Sequence, residues 1–147
     1  MDYIDENLLT GEDVVYRAKL HPIIFAPGTS VVLLGIIIAL ASSYQSIGLV
    51  VGVIGVLMGA AELVRYNYSE FAVTNRRVIA KFGAFNRRSL ELQLSKIEGI
   101  DVHQTPLGQI YDYGTVGVRG IGGTEELFPA IAAPLELRKH VQELLPE

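Results

Sequence analysis

Between Phe71 and Leu90 the chain carries five cations, Arg76, Arg77, Lys81, Arg87 and Arg88, and no acid. On a strand, side chains two apart share a face, so Arg77, Ile79 and Lys81 align and Arg87 can join them across the intervening turn. A cation beside an anionic membrane surface contributes about 1 kcal/mol, so such a group is suited to docking lipid headgroups or an acidic partner segment. The plainer reading is a set of solvated charges with no ligand. Attraction of this kind rests on charge, not on headgroup stereochemistry.

Other chemistry finds little support. His21, His103 and His140 are too scattered to form a metal-ligand pattern, and there is no cysteine to supply a thiolate. Gly117, Gly120, Gly122 and Gly123 look like a phosphate loop, but they spell no nucleotide-binding fingerprint and no helical pattern follows them. A glycine-rich hairpin turn explains them. Serine, histidine and aspartate occur without the context of an activated nucleophile. Neither an enzyme nor a cofactor is expected.

The elements that position these charges begin with an uncharged block. The 147 residues are 50% hydrophobic, and Leu20 to Ala61 contains no Asp, Glu, Lys or Arg. Pro22–Ala41 and Ile47–Val64 are each long enough to cross a bilayer as a helix, joined by the short polar turn Ser42 to Ser46. A domain this small could not cover two wholly apolar helices if they were instead the core of a soluble protein. A cleavable leader ending near Ala39-Leu40-Ala41 is disfavoured, because the preceding 21 residues are net acidic and a second span follows at once.

Arg17 and Lys19 flank the first span, Arg65, Arg76 and Arg77 follow the second, and the connecting turn has no cation. That asymmetry places both termini in the cytoplasm, in a multi-pass protein of the cell (inner) membrane. Gly48, Gly52, Gly55 and Gly59 recur on one face of the second span. Small residues let helix backbones approach closely in lipid, either within the hairpin or between two copies of the chain. Glu62 precedes Arg65 by three positions, as an interfacial ion pair would.

Past Val64 the apolar residues alternate. Ser69–Thr74, Arg77–Phe82, Leu90–Ser95, Ile97–His103, Thr115–Arg119 and Thr124–Phe128 read as short strands, with turn residues between them, Pro106-Leu107-Gly108 among these. Pro134 to Leu145 reads as an amphipathic helix. The net charge of −4 is local, since Arg65 to Glu147 balances ten cations against ten acids, and nothing directs the domain to nucleic acid. The expected layout is an arm at 1–21, a two-helix transmembrane hairpin at 22–64 (22–41 and 47–64), and a cytoplasmic domain at 65–147. Val14 to Leu20 also alternates and supplies a candidate seventh strand, which would make the hairpin an insertion between the first two strands.

The ordered segments Phe71-Ala72-Val73-Thr74-Asn75-Arg76-Arg77-Val78-Ile79, Leu92 to Gly99, Val102 to Gly108 and Tyr113-Gly114-Thr115-Val116 resemble the bacterial pleckstrin-homology (PH) family, in its membrane-anchored branch. The arm from Leu9 to His21 fits the usual lead-in. The resemblance implies an α+β domain, a bent antiparallel sheet or open barrel capped by a C-terminal helix, and a binding scaffold without catalytic apparatus. The expected function is therefore a membrane-anchored binding or scaffolding module. It would dock protein segments or anionic inner-leaflet lipids through Arg76, Arg77, Lys81, Arg87 and Arg88. It would also self-associate as a homo-oligomer along the glycine face. The alternative is a channel or transport accessory built from oligomerised hairpins.

Overall fold

The computed structural model describes residues 3–41, 43–82 and 88–145. They divide into two compact units, Pro22–Asn67 and a discontinuous one built from Met1–His21 and Tyr68–Glu147.

The arm carries a short helix, α1 (Tyr3–Glu6); in the first unit a 3-10 turn, Pro22–Phe25, leads into α2 (Ala26–Ala41), and α3 (Gln45–Tyr68) follows. Proline suits a helical start because its missing N–H would have no partner there. Thr29 and Ser30 donate their hydroxyls to the carbonyls of Phe25 and Ala26 (2.9 and 2.7 Å), so their polar groups are satisfied within the helix. Both segments, Pro22–Ala41 and Gln45–Tyr68, are long and apolar enough to cross a membrane. Their aliphatic side chains point outward, Leu40 at 84% exposure and Leu49 at 67%, whereas Gly28, Gly35, Gly48 and Gly55 are buried. A soluble helix pair has the opposite arrangement.

Among the described residues the second unit holds seven strands. β1 (Val14–Ala18), β2 (Glu70–Thr74), β3 (Arg77–Phe82) and β4 (Arg88–Gln93) form one antiparallel sheet in sequence order. β5 (Ile97–His103), β6 (Tyr113–Gly120) and β7 (Glu125–Ala132) form a second. Two antiparallel sheets closed by a C-terminal helix fit the expected architecture of a bent antiparallel sheet or open barrel. The chain beyond β1 bridges them, with Leu20 opposite Ile131, His21 donating its N–H to Ala130 (2.7 Å) and Lys19 accepting from Ala132 (2.9 Å). Helix α5 (Pro134–Leu144) buries Leu137 and Val141 against this core.

Phe71, Val78, Ile100, Val116, Val118, Phe128, Leu137 and Val141 surround a void of only about 10 Å³. That holds roughly one water, far below the volume of a ligand pocket.

Register fixes two ends of the domain. Ala18 pairs with Phe71, so His21 and Tyr68 each lie three residues beyond an antiparallel pair, where a hairpin turn would close. In chain order the apolar helices are inserted where that β1–β2 turn would stand. Glu70 pairs with Lys81 and Phe82 with Arg88, which puts the end of β3 and the start of β4 at this same linker end. Helix α4 (Pro106–Tyr111) lies there too, because Tyr113 follows its C-cap Asp112 and stacks on His21 with ring centroids 5.0 Å apart. The opposite, far end carries the Thr74–Arg77 turn and the Gly120–Thr124 turn, where Ile121 donates to Lys96 (2.9 Å). Five residues of strand, about 13 Å, separate the ends along β2.

Candidate functional site

Of the five expected docking cations, the three whose side chains are described, Arg76, Arg77 and Lys81, do not form one patch. Arg76 is exposed at the far end, and Arg77 beside it is buried. Lys81 stands at the linker end with its side chain 14% exposed, its Nζ 4.0 Å from Oε1 of Glu70. Arg87 lies outside the described residues, and of Arg88 the structure gives the backbone, paired with Phe82 at the linker end.

Arg77, Ile79 and Lys81 do share a face of β3, but that face is covered. Ile79 is 1% exposed and packs with Ile4 and Ala72, with Leu8 and Val14 around them. The N-terminal arm lies over the cations that alternation had turned toward solvent. Arg77 is therefore removed from the docking set. Its Nε donates to Oε1 of Glu12 (2.8 Å), its Nη2 to Oε2 of Glu12 (2.8 Å) and to the Asn7 carbonyl (2.8 Å), and its Nη1 to Glu91. Alternation shows which residues share a strand face. It does not show whether another segment crosses that face.

Glu12 has the complementary arrangement. Its side chain is fully buried and also accepts from the Thr74 hydroxyl (2.7 Å) and the Leu9 amide (2.8 Å). Burial pushes its carboxyl up, but the hydrogen bonds from Arg77, Leu9 and Thr74 and the charge of Arg77 outweigh it and hold the group at about 2. The hydrogen bond to Glu12, joined by the charges of Glu91 and Glu12, raises the pKa of Arg77 against the opposing effect of burial. Thr74 completes the turn by accepting from the amides of Arg76 (3.2 Å) and Arg77 (3.0 Å). This buried pair is an anchor for the arm, with no approach for a substrate. In the sequence Glu12 has no mark that separates it from the other acids of the arm.

The hairpin glycines also divide. A Cβ at Gly55 would lie 2.6 Å from the Val32 amide nitrogen, and one at Gly48 would strike the Ala39 backbone. At Gly35 it would lie 2.5 Å from the Gly52 nitrogen. Gly48 and Gly55 are therefore used in packing α3 on α2 and are closed to a second copy. At Gly52 and Gly59 an added Cβ meets nothing within 4 Å. Gly52 borders an apolar groove of about 340 Å³ with Ile36, Leu49, Val53 and Val56. At the end of α3, Arg65 Nη1 lies 3.6 Å from Oε2 of Glu62.

His21, His103 and His140 stay apart in role. His21 stacks on Tyr113, and His140 stacks on Tyr16 at 4.5 Å while its Nδ1 lies 2.8 Å from the Glu136 carbonyl. Among the described residues no cluster of three potential metal ligands occurs. Burial, followed by the charges of Glu136 and Asp112, raises the Tyr16 hydroxyl above its usual pKa.

Sequence reasoning missed α4, reading Pro106-Leu107-Gly108 as a turn. Its signal was Thr105-Pro106: the Thr105 hydroxyl accepts from the Gly108 amide (3.1 Å) as an N-cap, and proline occupies the first turn. Asp112 ends it in the left-handed region, φ 55°.

Comparison with curated proteins and with solved structures found no match. A family model described as "Bacterial PH domain" matches residues 23–145, taking in the hairpin as well as the sheets from β2 onward. With two antiparallel sheets closed by a C-terminal helix, the chain belongs to the bacterial PH domain family.

Proposed function

We propose that this chain is a membrane-anchored, non-catalytic binding module whose linker end docks on the anionic headgroups of the inner leaflet. The observation that carries this reading is the register of β2 and β3. Glu70, two residues past the end of α3, pairs with Lys81, and Arg88, paired with Phe82, opens β4 at that end. Exposed Lys19 lies two residues before His21, and Arg65 falls in the last turn of α3, adding cations near both exits of the chain. A domain tethered through both exits brings these charges to the leaflet carrying its anchor, where each contributes about 1 kcal/mol within a Debye length of about 8–10 Å. Arg76, at the far end, takes no part.

The test uses the full chain in nanodiscs. The chain has no cysteine, so single labels at Ser89→Cys (exposed, linker end) and Ile121→Cys (exposed, far end) report separately. Headgroup-attached paramagnetic lipids should broaden the label at 89 and spare that at 121, more strongly with anionic lipid. Equal broadening at both positions, or none at 89, would reject the orientation.

A further inference from the structure

Helix α4 carries its apolar face on the outside. Leu107, Ile110 and Tyr111, at i, i+3 and i+4, are 58%, 74% and 61% exposed, while Gly108 is buried. A surface helix normally turns such a stripe inward. The turn is also held rigidly. The Gln104 side-chain amide donates to the carbonyls of Gly108 and Tyr113 (both 3.3 Å), and a Cβ on Gly108 would come within 2.5 Å of the Tyr113 oxygen. The three side chains are thus presented on a fixed one-turn platform.

The position of α4 indicates what covers it. Tyr113 stacks on His21, the residue before Pro22, so α4 sits at the end of the domain from which the chain enters its first apolar helix. We infer that Leu107, Ile110 and Tyr111 insert into the headgroup–acyl boundary of the bilayer that holds the hairpin. Leucine and isoleucine gain from leaving water, and tyrosine keeps its hydroxyl at the wet edge of the interface. This inference rests on the linker end facing the leaflet and adds an apolar contact to the ionic one. A contact of that kind persists at high salt and in uncharged lipid.

The chain contains no tryptophan, so single-tryptophan variants report depth without background. Ile110→Trp, Ser89→Trp and Ile121→Trp all fall at exposed positions and are compared in the full chain, reconstituted in vesicles with acyl-brominated or headgroup-labelled quencher lipids. A side chain about 5–10 Å below the headgroups should lose roughly half its emission to acyl bromines, at low and high salt alike, and this is the result expected at 110 and not at 121. Quenching at 89 by headgroup labels with none at 110 would overturn the insertion and leave the ionic docking standing. No quenching at either would overturn both. Blue-shifted emission at 110 that no lipid quenches would mean a protein surface covers α4, and that result also rejects the inference.

Discussion

Arg77 and Glu12, 65 positions apart in sequence, meet in a two-point ion pair, Nε to Oε1 and Nη2 to Oε2, each at 2.8 Å. A pair so placed fastens the arm to the β2–β3 turn and makes the domain sensitive to acid. Glu12 is held near 2 when folded, against an ordinary value of 4.5. A depressed folded pKa stabilises fully above about pH 4.5, and that stabilisation is lost as pH falls toward about 2. The shift corresponds to roughly 3 kcal/mol.

Urea unfolding of a domain with Pro22–Asn67 replaced by a short turn should therefore show a steep loss of stability between about pH 5 and about pH 2. Glu12→Gln should be weaker than wild type at neutral pH and should flatten that slope. Arg77→Met, which strands a buried carboxylate, should cost about 3–5 kcal/mol, whereas the exposed Arg76→Gln should change stability by less than about 0.5 kcal/mol. Equal effects at 76 and 77 would remove the anchor from the account.

The glycine positions separate hairpin packing from self-association. Gly35→Ala and Gly55→Ala place a methyl against backbone, and overpacking of this kind costs about 1–3 kcal/mol. Thermal melts in mild detergent should fall for these two and hold for Gly52→Ala. If copies associate through the open face, Gly52→Leu and Gly59→Leu should reduce oligomer size without altering the melt. Unchanged size in both would exclude that face as a seam.

Topology follows from the distribution of Lys and Arg. In intact cells a single cysteine at Ser43 should react with an impermeant reagent, while cysteines placed at exposed Asn75 and Glu143 of the domain should react only after permeabilisation. Labelling of the domain from outside would reverse the leaflet that the cations face.

Much of the fold was legible because period and turn chemistry are local. The alternation of Leu90-Glu91-Leu92-Gln93 and the stripe of Leu137 and Val141 correspond to β4 and α5. β7 runs on to Ala132, past Pro129, through Ala130 in the left-handed region (φ 57°), a departure that alternation does not encode. The candidate site was less legible, because exposure is not local. Arg77 and Arg76 are neighbours of one type, and only the path of the arm, with Ile4 over Ile79 and Glu12 against Arg77, decides which meets water. The glycines likewise share one helix face, yet α2 approaches Gly48 and Gly55 and leaves the Cβ positions of Gly52 and Gly59 open.

The central claim is that the linker-end cations dock the domain on anionic lipid, and it is tested most directly by co-sedimentation of the turn-closed domain with vesicles. Wild type should pellet with anionic vesicles and progressively less as salt rises. Arg87→Gln with Arg88→Gln should weaken binding by about 2 kcal/mol, roughly thirtyfold, while Arg76→Gln leaves it intact. If the folded domain ignores anionic vesicles at low salt, or if Arg76→Gln weakens binding as much as the linker-end pair does, the account is contradicted.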